Sequence, residues 1–318
     1  MLKFGNSELA NGLVLAPLAG FTDSSFRKLC KSFGAELVFS EMASDEGVRR
    51  RIKKTLDYIL FDDEERPIGI QLFGSKIESM KEAAVIIEKE LHPEVIDINL
   101  GCPVKKVTKT GAGAALLQDK KKMQKMVCSI VKAVNTPIST KIRLGWKSDD
   151  SLELSKMLED CGISFITIHS RRAIDDYSKK ADWTVFEKIK NNTSIPIIAN
   201  GDIWKPEDAV FLISEIGVDA VMVGRGALGR PWVFKKLKDY MNNGKLENNM
   251  SRKDRIDILL KHIEMMRQRM GEEKTARRIK GQIGYYLKGM GETRRAKQQI
   301  LTANRLSSIV DLLEGMKK

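Results

Sequence analysis

Four polar residues stand where their types could do chemistry: Asn99, Cys102, Lys141 and His169, each at the end of, or inside, an apolar run. The clearest case is Asp97-Ile-Asn-Leu-Gly-Cys-Pro103, where Val95, Ile96 and Ile98 lead without a break into an amide, a glycine and a thiol. The carboxyl end of a strand in a parallel α/β fold is where ligands bind. A thiol there is either one more small buried side chain, the usual place of a free cysteine, or a proton-transfer group facing a ligand. Lys141 lies within Ser139-Thr-Lys-Ile-Arg143, where an ammonium needs an anionic or π-rich partner. A structural ion pair and a ligand contact both meet that need. His169 is open to a core reading as well, and His92 and His262 are expected to be structural.

These four belong to a set of eight strand ends. Pro17-Leu18-Ala19-Gly20, Ser40-Glu41-Met42, Gln71, Asn99 with Cys102, Lys141 with Arg143, His169, Asn200-Gly201-Asp202 and Gly224-Arg225 each follow or close an apolar run. Gathered at one mouth, they would form a ligand site. The last two sets suit a phosphate, because glycines let backbone N–H groups approach an anion and Arg225 adds charge. Gly224–Gly229 also matches the dinucleotide pattern G-x-G-x-x-G, but it follows the last unit instead of the first, and the match is discounted.

The elements that must position these residues are eight runs: Leu13–Ala16, Leu37–Ser40, Ile68–Leu72, Val95–Asn99, Ile138–Ile142, Phe165–His169, Ile195–Asn200 and Ala220–Gly224. Helix-period segments separate them. Thr22-Asp23 caps a helix carrying Phe26 and Leu29, Ser75 caps one carrying Met80, Ala83, Ala84 and Ile87, and Asp160-Cys161-Gly162 ends another. Continuous apolar runs indicate strands buried on both faces, hence a parallel sheet. Eight units predict an α/β fold of the (β/α)8 TIM-barrel type, with a doubly wound open sheet as the alternative. After Asn242-Asn243-Gly244 and the polar Glu247–Met250, strands give way to helical spacing. Ser251 caps a first helix, and further helical stretches cover Thr275–Lys288 and Arg294–Leu313. The expected division is a barrel over residues 1–244 and a small all-helical domain over 245–318.

Charge follows the same division. The 318-residue chain has a net charge of +13, and residues 245–318 hold 18 Lys and Arg against 9 Asp and Glu, so the tail contributes +9. A polyanionic partner is expected. The four cysteines (Cys30, Cys102, Cys128, Cys161) have no C-x-x-C pair, so neither a disulfide framework nor a metal site is expected, and Cys30, Cys128 and Cys161 read as packing residues. With no apolar run of membrane-spanning length and no leader-like segment, the sequence reads as a reduced, soluble, cytoplasmic protein.

Taken together, Pro17-Leu-Ala-Gly-Phe-Thr-Asp23, Ser40-Glu-Met42, Asn99-Leu-Gly-Cys-Pro103, Gly111-Ala-Gly-Ala-Ala-Leu-Leu117, Lys141-Ile-Arg143, Asn200-Gly-Asp-Ile203 and Gly224-Arg-Gly-Ala-Leu-Gly-Arg-Pro-Trp232 closely resemble the tRNA-dihydrouridine synthases. The overall look is nearest the bacterial DusB branch. The resemblance covers the whole barrel in order and continues less distinctly through Arg277-Arg-Ile-Lys280 and Tyr285-Tyr286-Leu287. It implies an FMN enzyme that reduces the C5–C6 double bond of a uridine in tRNA, with NADPH or NADH restoring the flavin. It further implies Cys102 as proton donor, and Pro17, Leu18, Ala19, Gln71, Lys141, His169, Asn200, Gly201, Asp202, Gly224 and Arg225 around FMN. Asn99 and Lys141 would hold the uracil edge. Substrate contacts are also expected from Arg143, from the loop residues Lys105, Lys106 and Lys109, and from Arg277, Arg278 and Lys280 in the tail. Two stretches depart from the family pattern: Ser170-Arg-Arg-Ala173, where a second arginine is replaced by Ala173, and Gly281-Gln282, which replaces a more basic pair.

Two other readings compete. An FMN barrel acting on a free pyrimidine needs no basic tail, and an RNA-binding barrel without catalysis leaves Cys102, Lys141 and His169 without a purpose. The expected partner is tRNA, bound by a monomer.

Overall fold

The structure, a computed structural model, describes residues 2–245, 250–291 and 293–317. Eight parallel strands form its centre: β1 (Leu13–Leu15), β2 (Leu37–Phe39), β3 (Ile68–Phe73), β4 (Val95–Leu100), β5 (Ile138–Arg143), β6 (Phe165–His169), β7 (Ile197–Asn200) and β8 (Ala220–Val223). Neighbours pair in sequence order. β8 pairs with β1 through Met222 and Val14, and β2 pairs with β3 through Val38 and Ile68, so the sheet closes on itself. The closure makes a (β/α)8 barrel and excludes the open sheet. Almost every strand residue is buried, as strands covered by a core on one face and helices on the other require. At Gly69 the strands come so close that an added Cβ would lie 2.3 Å from the Phe39 ring.

Outside the strands lie α1 (Ser24–Ser32), α2 (Ile77–Leu91), α3 (Lys120–Val131), α4 (Ser151–Glu159), α5 (Thr184–Lys190) and α6 (Val233–Asn243), with several shorter turns of helix between them. Asp23 caps α1 by accepting from the Phe26 N–H at 3.0 Å. The expected cap at Ser75 is absent. The helix starts two residues later, after Lys76, with no side-chain cap bond. An antiparallel hairpin, Leu2–Phe4 with Ser7–Leu9, precedes β1. Its Leu2, Phe4 and Leu9 pack on Leu37, Val95, Phe165 and Ala220, the first residues of their strands. The hairpin therefore plugs the amino-terminal end of the barrel and leaves the carboxyl-terminal end for ligands.

The expectation that Cys128 and Cys161 are unpaired packing residues is corrected: they form a disulfide. Cys128 lies on α3 and Cys161 just after α4. These adjacent barrel helices bring together residues 33 apart, a proximity that no local spacing announces. Cys30 is a buried free thiol.

The tail comprises α7 (Arg252–Met270), α8 (Glu272–Tyr286), α9 (Arg294–Thr302) and α10 (Leu306–Gly315). Ser251 caps α7 through the Asp254 N–H at 3.1 Å. The stretch expected to be one helix over Arg294–Leu313 breaks at Ala303–Arg305, because Ile300, Ile309 and Leu313 must all reach one small core. That core also holds Ile256, Ile263, Ile279 and Tyr286, and Trp232 joins it from the end of the barrel chain. Of the polar linker, Glu247–Asn249 lie outside the described residues. Among the described residues, no helix is long and apolar enough to cross a membrane.

Candidate active site

All eight strand ends open on one cavity of about 280 Å³ at the carboxyl-terminal mouth. Pro17, Leu18, Ala19, Gln71, Asn99, Cys102, Lys141, Arg143, His169, Asn200, Gly201, Asp202, Gly224 and Arg225 all line it. A parallel barrel enforces this convergence, since every strand enters its loop at the same rim.

Cys102 follows β4 on a turn held from three sides. Asn99 Oδ1 accepts from the backbone N–H of Gly101 (3.2 Å) and of Cys102 (3.0 Å). The Cys102 carbonyl accepts from the Ala114 N–H at 3.0 Å. Arg143 Nε donates to the Gly101 carbonyl at 3.0 Å. The close return of the 111–114 segment needs Gly113, which has φ +60° and would place a Cβ 2.8 Å from the Cys102 carbonyl oxygen. Burial pushes the Cys102 thiol above its ordinary pKa, more strongly than nearby Arg143 and Lys141 lower it. The group is therefore a thiol at neutral pH.

Lys141 projects from β5 and donates to Asn200 Oδ1 at 2.9 Å, and Asn200 Nδ2 in turn donates to the Met222 carbonyl at 2.7 Å. Burial, with Arg143 nearby, lowers the Lys141 pKa to about 8, so the ammonium holds its proton only loosely. His169 is driven well below its usual pKa, first by burial and then by Lys141, Arg143, Arg171 and Arg225. It is a neutral imidazole.

At the far end, Asp202 binds two guanidiniums, Arg171 at 2.6 Å and Arg225 at 3.0 Å. Asp202 has φ +53° and follows Gly201 at φ +123°, a tight turn that brings bare backbone to the rim. Tyr177 covers this end. Its ring lies 4.5 Å from the Arg225 guanidinium carbon and 5.6 Å from that of Arg143, and Trp204 flanks Arg225 at 5.3 Å. Sequence reasoning did not single out Tyr177 or Trp204, both of which sit on loops with no periodic signal.

The remaining substrate candidates lie apart from this cavity. Lys105, Lys106 and Lys109 are exposed, on or beside the short helix Lys105–Thr108. Lys106 lines a second cavity of about 710 Å³ that shares Ala19 and Met42 with the first and is walled on the other side by Arg278. Arg277 faces solvent and pairs with Glu273 at 2.7 Å, while Lys280 is half-buried. Arg278 is not free. It pairs with Asp23 at 2.8 Å and with Glu41, whose other oxygen accepts from the Gly20 N–H at 2.6 Å. At the first departure, Ala173 is buried, and Arg172 pairs with Asp175 at 2.8 Å while its carbonyl accepts from Arg143 at 2.9 Å. At the second, Gln282 is buried and donates to the Gly20 carbonyl at 3.3 Å. His262 packs inside the tail beside Tyr286, as expected of a structural histidine, whereas Tyr285 is exposed and stands edge-on to Phe21.

Comparison with known proteins accords with this geometry. Residues 14–316 match the family model for dihydrouridine synthase (Dus). A probable tRNA-dihydrouridine synthase of Aquifex aeolicus is 39% identical over 310 residues, covering 96% of each chain. The tRNA-dihydrouridine synthase B of Vibrio parahaemolyticus is 35% identical over 319 residues, covering 99% of this chain and 98% of that one. Among solved structures, an old yellow enzyme homologue from Zymomonas mobilis superposes with a TM-score of 0.54 over 78% of this chain and 93% of its own, at 14% identity, a likeness of fold. Because both the family match and these relatives span the barrel and the tail alike, this chain belongs to the dihydrouridine synthase family, in the branch of the B enzymes.

Proposed function

We propose that this protein reduces a uridine in tRNA to 5,6-dihydrouridine, using bound FMN and NADPH or NADH as reductant. The observation that carries this reading is a neutral thiol, Cys102, on the rim of a cavity that also holds Lys141, His169, Asn200 and Gln71.

The donor set suits FMN. Asp202 with Arg171 and Arg225 leaves one positive charge beside the Gly201 turn, as a phosphate would require. Lys141 and the amides of Gln71 and Asn200 offer N–H groups for the polar edge of a flavin ring. Pro17, Leu18, Ala19 and Gly224 give that ring an apolar, closely approachable wall. When bound and reduced, FMN supplies a hydride to uracil C6.

The chain's own residues do the rest. The Cys102 thiol gives its proton to C5. The thiolate that remains is favoured by Arg143 and Lys141, the two cations that already pull its pKa downward. Lys141 also stabilises negative charge developing on O4, and Lys141 and Asn99 hold the uracil edge. A uridine inside folded tRNA must leave its stack at a cost of a few kcal/mol. Phosphate contacts from Lys105, Lys106, Lys109, Arg277 and Lys280 offset that cost. This reading assigns residues 1–244 to flavin chemistry and 245–318 to tRNA, in a monomeric cytoplasmic enzyme.

The test is anaerobic mixing of the reduced protein with tRNA. Flavin reoxidation should require tRNA and leave dihydrouridine in it; reoxidation by free uridine at the same rate, or tRNA left unmodified, refutes the reading.

A further inference from the structure

We propose that Asp97, which touches neither the cavity nor solvent, is a positioning residue for Cys102 and acts through Gln71 and Asn99. The inference rests on the reading of Cys102 as the proton donor. Asp97 lies in the middle of β4, fully enclosed in the barrel core, where a carboxylate is costly unless its acceptor sites are filled.

They are filled in a directional way. Asp97 Oδ1 accepts from Ser139 Oγ at 2.7 Å, and Oδ2 accepts from Gln71 Nε2 at 2.7 Å. Gln71 Oε1 then accepts from Asn99 Nδ2 at 2.9 Å. That leaves Asn99 Oδ1 to accept from the N–H groups of Gly101 and Cys102. Each amide in this relay could in principle be turned over. A carboxylate cannot, because when ionised it only accepts hydrogen bonds. Asp97 therefore fixes the orientation of Gln71, and Gln71 fixes that of Asn99. If Gln71 turned over, Asn99 would present an NH2 group to two backbone N–H donors, and the turn that holds the thiol would lose its anchor. Burial pushes the Asp97 carboxyl up to about 6, so at pH 8 it is ionised and the relay runs one way only.

The experiment is a double-mutant cycle at pH 8 between Asp97→Asn and Asn99→Ala, with two readouts: kcat and KM for tRNA reduction, and the rate of Cys102 alkylation by iodoacetamide in the tRNA-free protein. Asp97→Asn keeps size and shape but allows the amide orientations to mix. It should lower kcat about tenfold with KM for tRNA within about twofold, and shift the alkylation rate at least about threefold. In the Asn99→Ala background, where the last link is already gone, it should add less than about twofold to either readout. A purely structural role for Asp97 gives equal factors in both backgrounds. That result, or a change in KM with kcat intact, overturns the proposal. Should Asp97→Asn not fold, Gln71→Met cuts the same relay one link later, with the same two outcomes. If the wild-type protein leaves tRNA unmodified, the proposed function fails on its own, and the alkylation cycle still decides the positioning role.

Discussion

Arg278 on α8 meets Asp23, the capping residue of α1, at 2.8 Å across the seam between tail and barrel. The same guanidinium reaches Glu41, and Glu41 holds the Gly20 N–H, so the tail is tied to the loop that follows β1 at the mouth. Both carboxylates are nearly buried, and removing the guanidinium strands them. Breaking a buried pair typically costs 3–5 kcal/mol, and because Arg278 itself is partly exposed, a cost of about 2–4 kcal/mol is expected for Arg278→Ala. Arg278→Lys should recover only part of this, since one ammonium cannot fork between two carboxylates. Urea unfolding of both variants measures it, and an Arg278→Ala protein as stable as the parent would show that the seam is held elsewhere.

The exposed cations should behave differently. Arg277 pairs with a solvent-exposed Glu273, and Lys105, Lys106 and Lys109 stand in water, so their replacement should leave folding within about 0.5 kcal/mol of the parent. If they meet tRNA phosphates, each change to Ala should weaken tRNA binding and reduce the slope of log K against log salt by about one. Binding titrations from low to moderate salt read this directly. A triple Lys105/Lys106/Lys109→Ala variant with an unchanged slope would remove these lysines from the interface.

The barrel was legible because its strands are buried on both faces, which leaves runs such as Leu13–Ala16 unmixed with polar residues, and because glycine, proline or polar residues mark the ends of the runs. Boundaries slipped where backbone chemistry intervened. The seventh run was expected from Ile195, but Pro196 has no N–H to give the ladder, and β7 starts at Ile197. The amino-terminal hairpin carried a period-two signal in Leu2 and Phe4 ahead of Gly5-Asn6, too short to register beside the longer runs. Tyr177, Trp204 and the disulfide between Cys128 and Cys161 were hidden for one reason: each depends on which loops or helices end up adjacent. Asp97 stood in view as a charge within an apolar strand, but its partners Gln71 and Ser139 come from two other strands.

The Cys102 thiol makes two measurable claims. Cys102→Ala should keep FMN, because the groups assigned to the flavin lie on other strands, and lose about 10²–10⁴-fold in the rate of tRNA reduction. Burial raises the pKa of this thiol, so it stays protonated through neutral pH, and loss of its proton should lower turnover on the alkaline side. The alkylation rate of the free protein should rise over that same alkaline range. Alkylation already at its plateau by neutral pH would mean a thiolate, and the proton-donor role would have to be abandoned.

His262 gives the tail a pH dependence of its own. It is fully enclosed, with Nδ1 3.0 Å from the Tyr286 hydroxyl and its ring against Phe26, and burial lowers its pKa to about 4. Asp23 raises that value and Arg278 lowers it, both more weakly than burial. In the unfolded chain the imidazole titrates near its ordinary value of about 6.5. Between these two values the unfolded state binds a proton that the folded state refuses, so stability falls as pH drops from about 6.5 towards 4 and is unaffected by this group above that window. The full shift corresponds to at most about 3 kcal/mol. Urea unfolding of the parent and of His262→Gln at pH 7 and pH 4.5 isolates the effect. The parent should lose more stability on acidification than the variant, and equal losses would show that His262 takes up its proton without opening the tail core.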